Sequence, residues 1–171
     1  MARAILIGAP GSGKSTIGRA LARELGVTFT DTDSRIVEQE RRSISEIFAH
    51  DGEQAFRIIE RAVVLATLSS EAGVISLGGG AVLDVDVQNA LKESDADVIF
   101  LDVGLSNVMN RIGNRNDRPL LANNAEHQWL ELMSTREPIY RALANIHIST
   151  DNKKAAEVAA ELINQMGITH D

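Results

Sequence analysis

Short, unbroken apolar runs alternate along this chain with longer stretches whose apolar residues recur every three or four positions. The first run, Ala4-Ile5-Leu6-Ile7, has no polar alternation and predicts a strand buried on both faces. Ser15 to Leu25 follows with a helical period, placing Ile17, Leu21 and Leu25 on one face, and Gly26 stands where a left-handed C-terminal cap belongs. Val27 to Thr30 predicts a short strand ending at Asp31-Thr32-Asp33, and Ser34 to Arg42 a helix. Ser43-Ile-Ser-Glu46 has capping-box spacing and predicts the start of a short helix. Asp51-Gly-Glu-Gln54 repeats that signal and opens a longer one running to about Ser70. Val74 to Leu77 is expected as a strand, followed by Gly78-Gly79-Gly80, and Val87 to Glu93 as a short helix. Asp97 to Asp102 predicts another strand, with Ser106 capping a helix that ends near Ile112. Glu126 to Ala144 has a helical pattern interrupted at Pro138, Ile146 to Ser149 is a last strand, and Lys153 to Met166 is an amphipathic closing helix.

Strands that alternate with helical patterns specify an α/β fold, here a five-stranded parallel sheet with helices on both faces. There is no repeat, low-complexity tract or linker, so residues 1–171 are expected to form one domain. Gly113 to Asn124 is polar and is the longest stretch without periodicity, which predicts a lid over residues 113–124. In a doubly wound sheet the ligand crevice lies beyond the C-terminal ends of the strands. The notable groups all follow strands: a glycine-rich loop after the first, Asp31 and Asp33 after the second, Gly78 to Gly80 after the third. They are expected to converge.

Composition narrows the function. The net charge of −7 argues against a general role on nucleic acid or a membrane surface, both of which favour a basic face. The chain has no cysteine, which excludes disulfides and thiolate metal sites. The N-terminus runs straight into the first strand and no stretch is long enough to span a bilayer, so a cytoplasmic protein is the expectation; a monomer is expected as well.

The glycine-rich loop carries the strongest chemistry. Gly8-Ala-Pro-Gly11-Ser12-Gly13-Lys14-Ser15 is the phosphate-binding pattern of Gly, four residues, then Gly-Lys-Ser, set between a strand and a helix. Its glycines let successive backbone N–H groups converge on one anion, and the helix N-terminus adds partial positive charge. Lys14 is placed to reach the β- and γ-phosphates of a nucleotide, and the Ser15 hydroxyl to ligate Mg²⁺.

Other residues carry two readings each. Asp31 and Asp33 alternate along an extended segment and so share a side, where one carboxylate orients Mg²⁺ and the other holds or deprotonates an acceptor hydroxyl. The other reading is a turn with local side-chain hydrogen bonds. Gly78 to Gly80 permit close approach of backbone to a ligand, or form a flexible turn. Arg57 and Glu60, one turn apart, read from periodicity alone as a solvated ion pair before they read as a substrate clamp. Arg111, Arg115 and Arg118 lie in or beside the lid, and Arg118 precedes Pro119, which stiffens that end of the loop. Arg136 and Arg141 flank Pro138-Ile-Tyr140, and pattern does not choose between anion binding and a helix-surface charge. The four histidines have no ligand spacing to one another. His147 is expected on the outer face of an edge strand, and Trp129 in helix packing.

Taken together, these segments resemble the shikimate kinases over essentially the whole chain. The resemblance runs through residues 11–19, Asp31-Thr-Asp33, Ser43 to Phe48, Asp51 to Glu60, Leu77 to Ala81, Arg118-Pro-Leu-Leu121 and Arg136 to Tyr140. It implies transfer of the γ-phosphoryl group of ATP to the 3-hydroxyl of shikimate, in the route to aromatic amino acids, with Mg²⁺ as metal. By that likeness Gly11, Ser12, Gly13, Lys14, Ser15, Thr16, Arg111 and Arg118 bind nucleotide, with Arg111 against the adenine and Arg118 coming from the lid onto the γ-phosphate. Ser15 and Asp31 manage Mg²⁺. Asp33, Arg57, Gly79, Gly80 and Arg136 bind shikimate, within a substrate-binding region spanning about 34–60. Arg57 and Arg136 clamp its carboxylate, Glu60 positions Arg57, and Asp33 holds the reacting hydroxyl. Lys14, Asp33 and Arg118 are the implied catalytic residues. One departure stands out. Some relatives pack a proline on the adenine near the last loop, where this chain reads Asp151-Asn-Lys-Lys-Ala155. Another small-molecule kinase of the same architecture, acting on gluconate or a nucleoside monophosphate, and a nucleotide-dependent switch without acceptor are the alternative readings.

Overall fold

A computed structural model describes residues 2–113 and 125–167, with backbone alone at 111–113. Five strands form one parallel sheet in the order β2-β3-β1-β4-β5. They are β1 (Ala2–Ile7), β2 (Phe29–Asp31), β3 (Gly73–Ser76), β4 (Asp97–Asp102) and β5 (Ile146–Ser149). The helices are α1 (Lys14–Leu25), α2 (Thr32–Glu40), α3 (Ile44–Asp51), α4 (Glu53–Ser70), α5 (Val85–Glu93), α6 (Leu105–Gly113), α7 (Ala125–Leu143) and α8 (Ala155–Gln165). A single 3-10 turn at Ala81–Leu83 follows the triple glycine.

The unbroken apolar character of β1 has a direct cause. Its side chains alternate between faces, and both faces are covered. Ala4 and Leu6 pack with Ile17 and Leu21 of α1 and Val158 and Leu162 of α8. Ile5 and Ile7 pack with Val64 of α4, Leu91 of α5 and Tyr140 of α7. A smaller cluster of Ile36, Ile47, Phe56 and Val63 joins α2, α3 and α4 and supports the end of the sheet beyond β3. His147 is exposed between buried Ile146 and Ile148 on edge strand β5, as the alternation predicts.

Four local expectations change. The segment Asp31 to Asp33 is not extended throughout. Asp31 ends β2 and caps α2, accepting from the N–H groups of Asp33 (2.9 Å) and Ser34 (3.3 Å), so Asp33 already lies in the first helical turn. Ser43 caps α3 as its spacing predicts, but Asp51 is the last residue of α3 rather than a cap for α4. Its carboxylate pairs with Arg42, and Gly52 takes the N-cap of α4 with no side-chain bond. Ser106 lies inside α6, which starts at Leu105. Pro138 sits inside an unbroken α7.

Candidate active site

The crevice lies where the chain leaves β1 and β3, neighbouring strands from which it departs toward different edges of the sheet. On one side is the loop between β1 and α1. Gly13 is the N-cap of α1 at φ 90° and ψ 18°, a left-handed conformation suited to glycine, and it offers no side-chain cap. The helix therefore begins without a side-chain cap, and its N-terminal partial positive charge favours an anion there. Lys14 Nζ donates to the carbonyl oxygens of Gly8 (2.8 Å) and Ala9 (3.0 Å), folding the ammonium over the loop. Gly11 and Thr16 are exposed. Ser12 is turned inward, its hydroxyl buried without a hydrogen-bond partner among the described residues and its N–H donated to Ala9 O at 3.2 Å.

Ser15 and Asp31, sixteen residues apart in sequence, meet here: Ser15 Oγ donates to Asp31 Oδ2 at 2.6 Å. A hydroxyl and a carboxylate at the end of a phosphate-binding loop are oxygen donors of the type Mg²⁺ accepts. Among the described residues no cluster of three or more Asp, Glu, His or Cys would hold a metal by protein ligands alone. The donor set fits an ion that completes its shell with phosphate oxygens and water.

On the other side of the crevice the triple glycine is enclosed by charged side chains. A Cβ on Gly78 would stand 2.6 Å from Asp33 Oδ1 and 3.0 Å from Glu60 Oε2. On Gly79 it would meet Pro10 Cδ at 2.9 Å and Arg136 Nη1 at 3.3 Å, and on Gly80 the Arg57 guanidinium at 2.5–2.7 Å. The glycines are thus absences of side chain that let two carboxylates, two arginines and the phosphate-binding loop close on a single turn. Thr32 Oγ1 accepts from the Gly78 N–H at 3.3 Å, tying the turn to the start of α2.

Arg57 and Glu60 are not a solvated pair. Glu60 is only 4% exposed, and its Oε1 accepts from Arg57 Nη1 at 2.7 Å. The burial follows from α4, whose inward residues are Phe56, Glu60, Val63, Val64 and Thr67. The glutamate occupies a position in the apolar stripe. Burial raises the Glu60 pKa above the usual carboxylate value and outweighs the lowering by Arg57 and Arg136, while nearby Asp33 adds to the rise. Arg136 lies on α7 one turn before Tyr140, whose hydroxyl donates to the Gly79 carbonyl at 2.5 Å.

The structure brings Lys14, Ser15 and Asp31 together on one side, and Asp33, Arg57, Glu60, Gly79, Gly80 and Arg136 on the other. Arg141 is not among them. It pairs with Glu137 and Asp102 on the outside of α7. The side chain of Arg111, at the end of α6, and residues 114–124 with Arg115 and Arg118, most of the segment expected as a lid over 113–124, lie outside the described residues. Sequence reasoning did not single out Pro10, Thr32 or the Tyr140 hydroxyl, because no pattern marks a backbone or hydroxyl contact between distant segments. Nor did it foresee the burial of Glu60, although its place between Phe56 and Val63 on one helical face carried that signal. The loop after β5, which has no proline, is held by Asp151. Its carboxylate accepts from Gly104 N (2.9 and 3.1 Å) and Asn107 Nδ2 (2.8 Å), tying the loop after β5 to the start of α6.

Known proteins are similar to this chain in sequence and in fold. The family model described as shikimate kinase matches residues 10–167. A shikimate kinase of Mycobacterium ulcerans is 44% identical over 165 residues, covering 96% of this chain and 89% of that one. One of Rhodococcus erythropolis is 43% identical, covering 96% of each. Among solved structures, the shikimate kinase of Acinetobacter baumannii in complex with shikimate superposes with a TM-score of 0.89 at 32% identity, covering 97% of this chain and 93% of that one. The matches span the phosphate-binding loop, the carboxylate–arginine cluster and the sheet that joins them, and the chain belongs to the shikimate kinase family.

Proposed function

We propose that this protein phosphorylates the 3-hydroxyl of shikimate with ATP, and that the two sides of the crevice are the donor and acceptor sites. The observation that carries the reading is the turn at Gly78–Gly80. It packs on Pro10 of the phosphate-binding loop while two arginines and two carboxylates close around it. A small acid with a hydroxyl near its carboxylate fits between them within reach of a terminal phosphate.

In this reading Arg57 and Arg136 bind the shikimate carboxylate, Glu60 holds Arg57 in orientation, and the Gly79 and Gly80 backbone forms the floor. Asp33, in the first turn of α2, accepts a hydrogen bond from the reacting hydroxyl and fixes its lone pair toward the phosphate. The loop N–H groups of residues 11–16 hold the phosphates. Lys14 exchanges the carbonyls of Gly8 and Ala9 for phosphate oxygens, and Arg118 approaches from the lid at 114–124. Both place positive charge where it develops on the equatorial oxygens. Ser15 and Asp31 would hold Mg²⁺, which when bound neutralises phosphate charge. Arg111 is assigned to the adenine by the family likeness alone. Closure of the lid excludes water, the competing acceptor. The chain's acidic net charge supports an activity that needs no nucleic acid partner.

The test is a coupled ADP-release assay with MgATP and, in turn, shikimate, gluconate and nucleoside monophosphates. Turnover dependent on shikimate, with a phosphorylated 3-hydroxyl in the product, is expected. Turnover with another acceptor, or ATP hydrolysis indifferent to shikimate, overturns the proposal.

A further inference from the structure

Tyr140 is the largest fully buried side chain among the described residues, and its ring stacks on Phe100 with centroids 5.2 Å apart. Packing alone does not require its hydroxyl, since phenylalanine fills the same space. The hydroxyl nevertheless does two things. It donates to the carbonyl of Gly79 at 2.5 Å, sixty-one residues away in sequence. It also lies near enough to the Arg136 guanidinium, one turn earlier on α7, for that charge to act on it. Gly79 itself lies against both Pro10 and the Arg136 guanidinium.

We infer that the Tyr140 hydroxyl is a positioning group for the acceptor site: it locks the Arg136 guanidinium and the Gly79 peptide to each other, and so sets the affinity for shikimate. The inference rests on the acceptor assignment above and extends it to a residue that does not touch the substrate. A guanidinium on a long side chain loses much rotamer freedom when it binds a carboxylate. A buried hydroxyl that holds it beforehand removes part of that cost. The same hydroxyl satisfies the part-buried Gly79 carbonyl, which would otherwise lose this partner. Burial raises the phenol pKa, with the Arg136 charge opposing, which keeps the proton available for donation to Gly79.

The experiment compares Tyr140→Phe with Phe100→Leu. The first removes only the hydroxyl. The second disturbs the packing around the ring and leaves the hydroxyl in place. Melting temperature is read by circular dichroism, shikimate binding by fluorescence of the single tryptophan, Trp129 on α7, and KM and kcat by ADP release. Tyr140→Phe is expected to raise the shikimate KM and dissociation constant about 10-fold, as for an unsatisfied buried group, with kcat and the ATP KM little changed. Phe100→Leu is expected to lower the melting temperature at least as much while leaving the shikimate KM near wild type. An unchanged shikimate KM in Tyr140→Phe overturns the inference and leaves the proposed function standing. An equal rise in KM in Phe100→Leu overturns it too, because packing would then be the cause. Wild-type protein that does not respond to shikimate at all removes the function and the inference together.

Discussion

Gly80→Ala separates binding from folding in a way the structure quantifies. Gly80 sits at φ −94° and ψ −2°, a conformation open to alanine, so the substitution imposes no backbone strain. Its Cβ would stand 2.5 Å from Arg57 Nη1 and 2.7 Å from Arg57 Cζ. Ordinary contact needs roughly 3.5 Å, so the guanidinium must retreat by about 1 Å. The obstacle is the end of a flexible side chain, and retreat costs the fold little. It costs the site more, because the nitrogen that must move, Nη1, is the one held by Glu60 at 2.7 Å. Removing an arginine outright from a desolvated carboxylate pair costs about 2–5 kcal/mol, and displacing it should lose part of that. We expect shikimate affinity to fall about 10–100-fold, or about 1.4–2.7 kcal/mol, with ADP affinity unchanged. The melting temperature should stay within about 2 °C of wild type, the scale of a substitution worth less than about 0.5 kcal/mol in a domain of this size. Calorimetric titration with shikimate and with ADP reads both affinities. If Gly80→Ala acts through Arg57, it should add little when placed on Arg57→Ala, since both remove the same contact. Wild-type shikimate affinity in a correctly folded Gly80→Ala protein would refute the assignment of Arg57 as the clamp.

Further outcomes follow from the same geometry. Lys14→Ala should lower kcat by about 10²-fold or more in the ADP-release assay, the scale of losing one transition-state donor, and near-normal turnover would count against its role. Because burial raises the Glu60 pKa, its carboxylate is protonated, and its hold on Arg57 weakened, at a pH where an exposed carboxylate is still charged. Shikimate affinity should therefore fall as pH drops through that raised value, and a Glu60→Gln protein should bind weakly without that limb in its KM–pH profile. Stability carries the opposite sign. A carboxyl whose folded-state pKa is raised favours the folded state below its unfolded pKa, and this contribution is lost as pH rises through the folded value. The difference in melting temperature between wild type and Glu60→Gln should shift in that direction across the window. Asp31→Asn should raise the Mg²⁺ concentration needed for half-maximal turnover, with the α2 cap largely kept because the amide oxygen still accepts from Asp33 and Ser34. An unaltered Mg²⁺ titration would remove Asp31 from the metal's surroundings.

The order of elements, the parallel sheet and the phosphate-binding loop could be read from the chain because each rests on residues adjacent in sequence. Four apolar residues in a row at Ala4–Ile7 require cover on both sides wherever they lie, and Gly13-Lys14-Ser15 builds its anion site from its own backbone. The acceptor side is different. Glu60 falls on the apolar face of α4, but nothing local tells what that face packs against, or that Asp33 has turned into a helix away from Asp31, or joins Tyr140 to Gly79. Those facts arise when α4 and α7 pack on the sheet and bring residues sixty or more positions apart within hydrogen-bond distance. Burial is what converts them from solvated charges into an oriented cluster, since a carboxylate removed from water holds its arginine in a low-dielectric setting and can be protonated at unusually high pH. That removal from water is a property of the packed whole, and no single segment carries it.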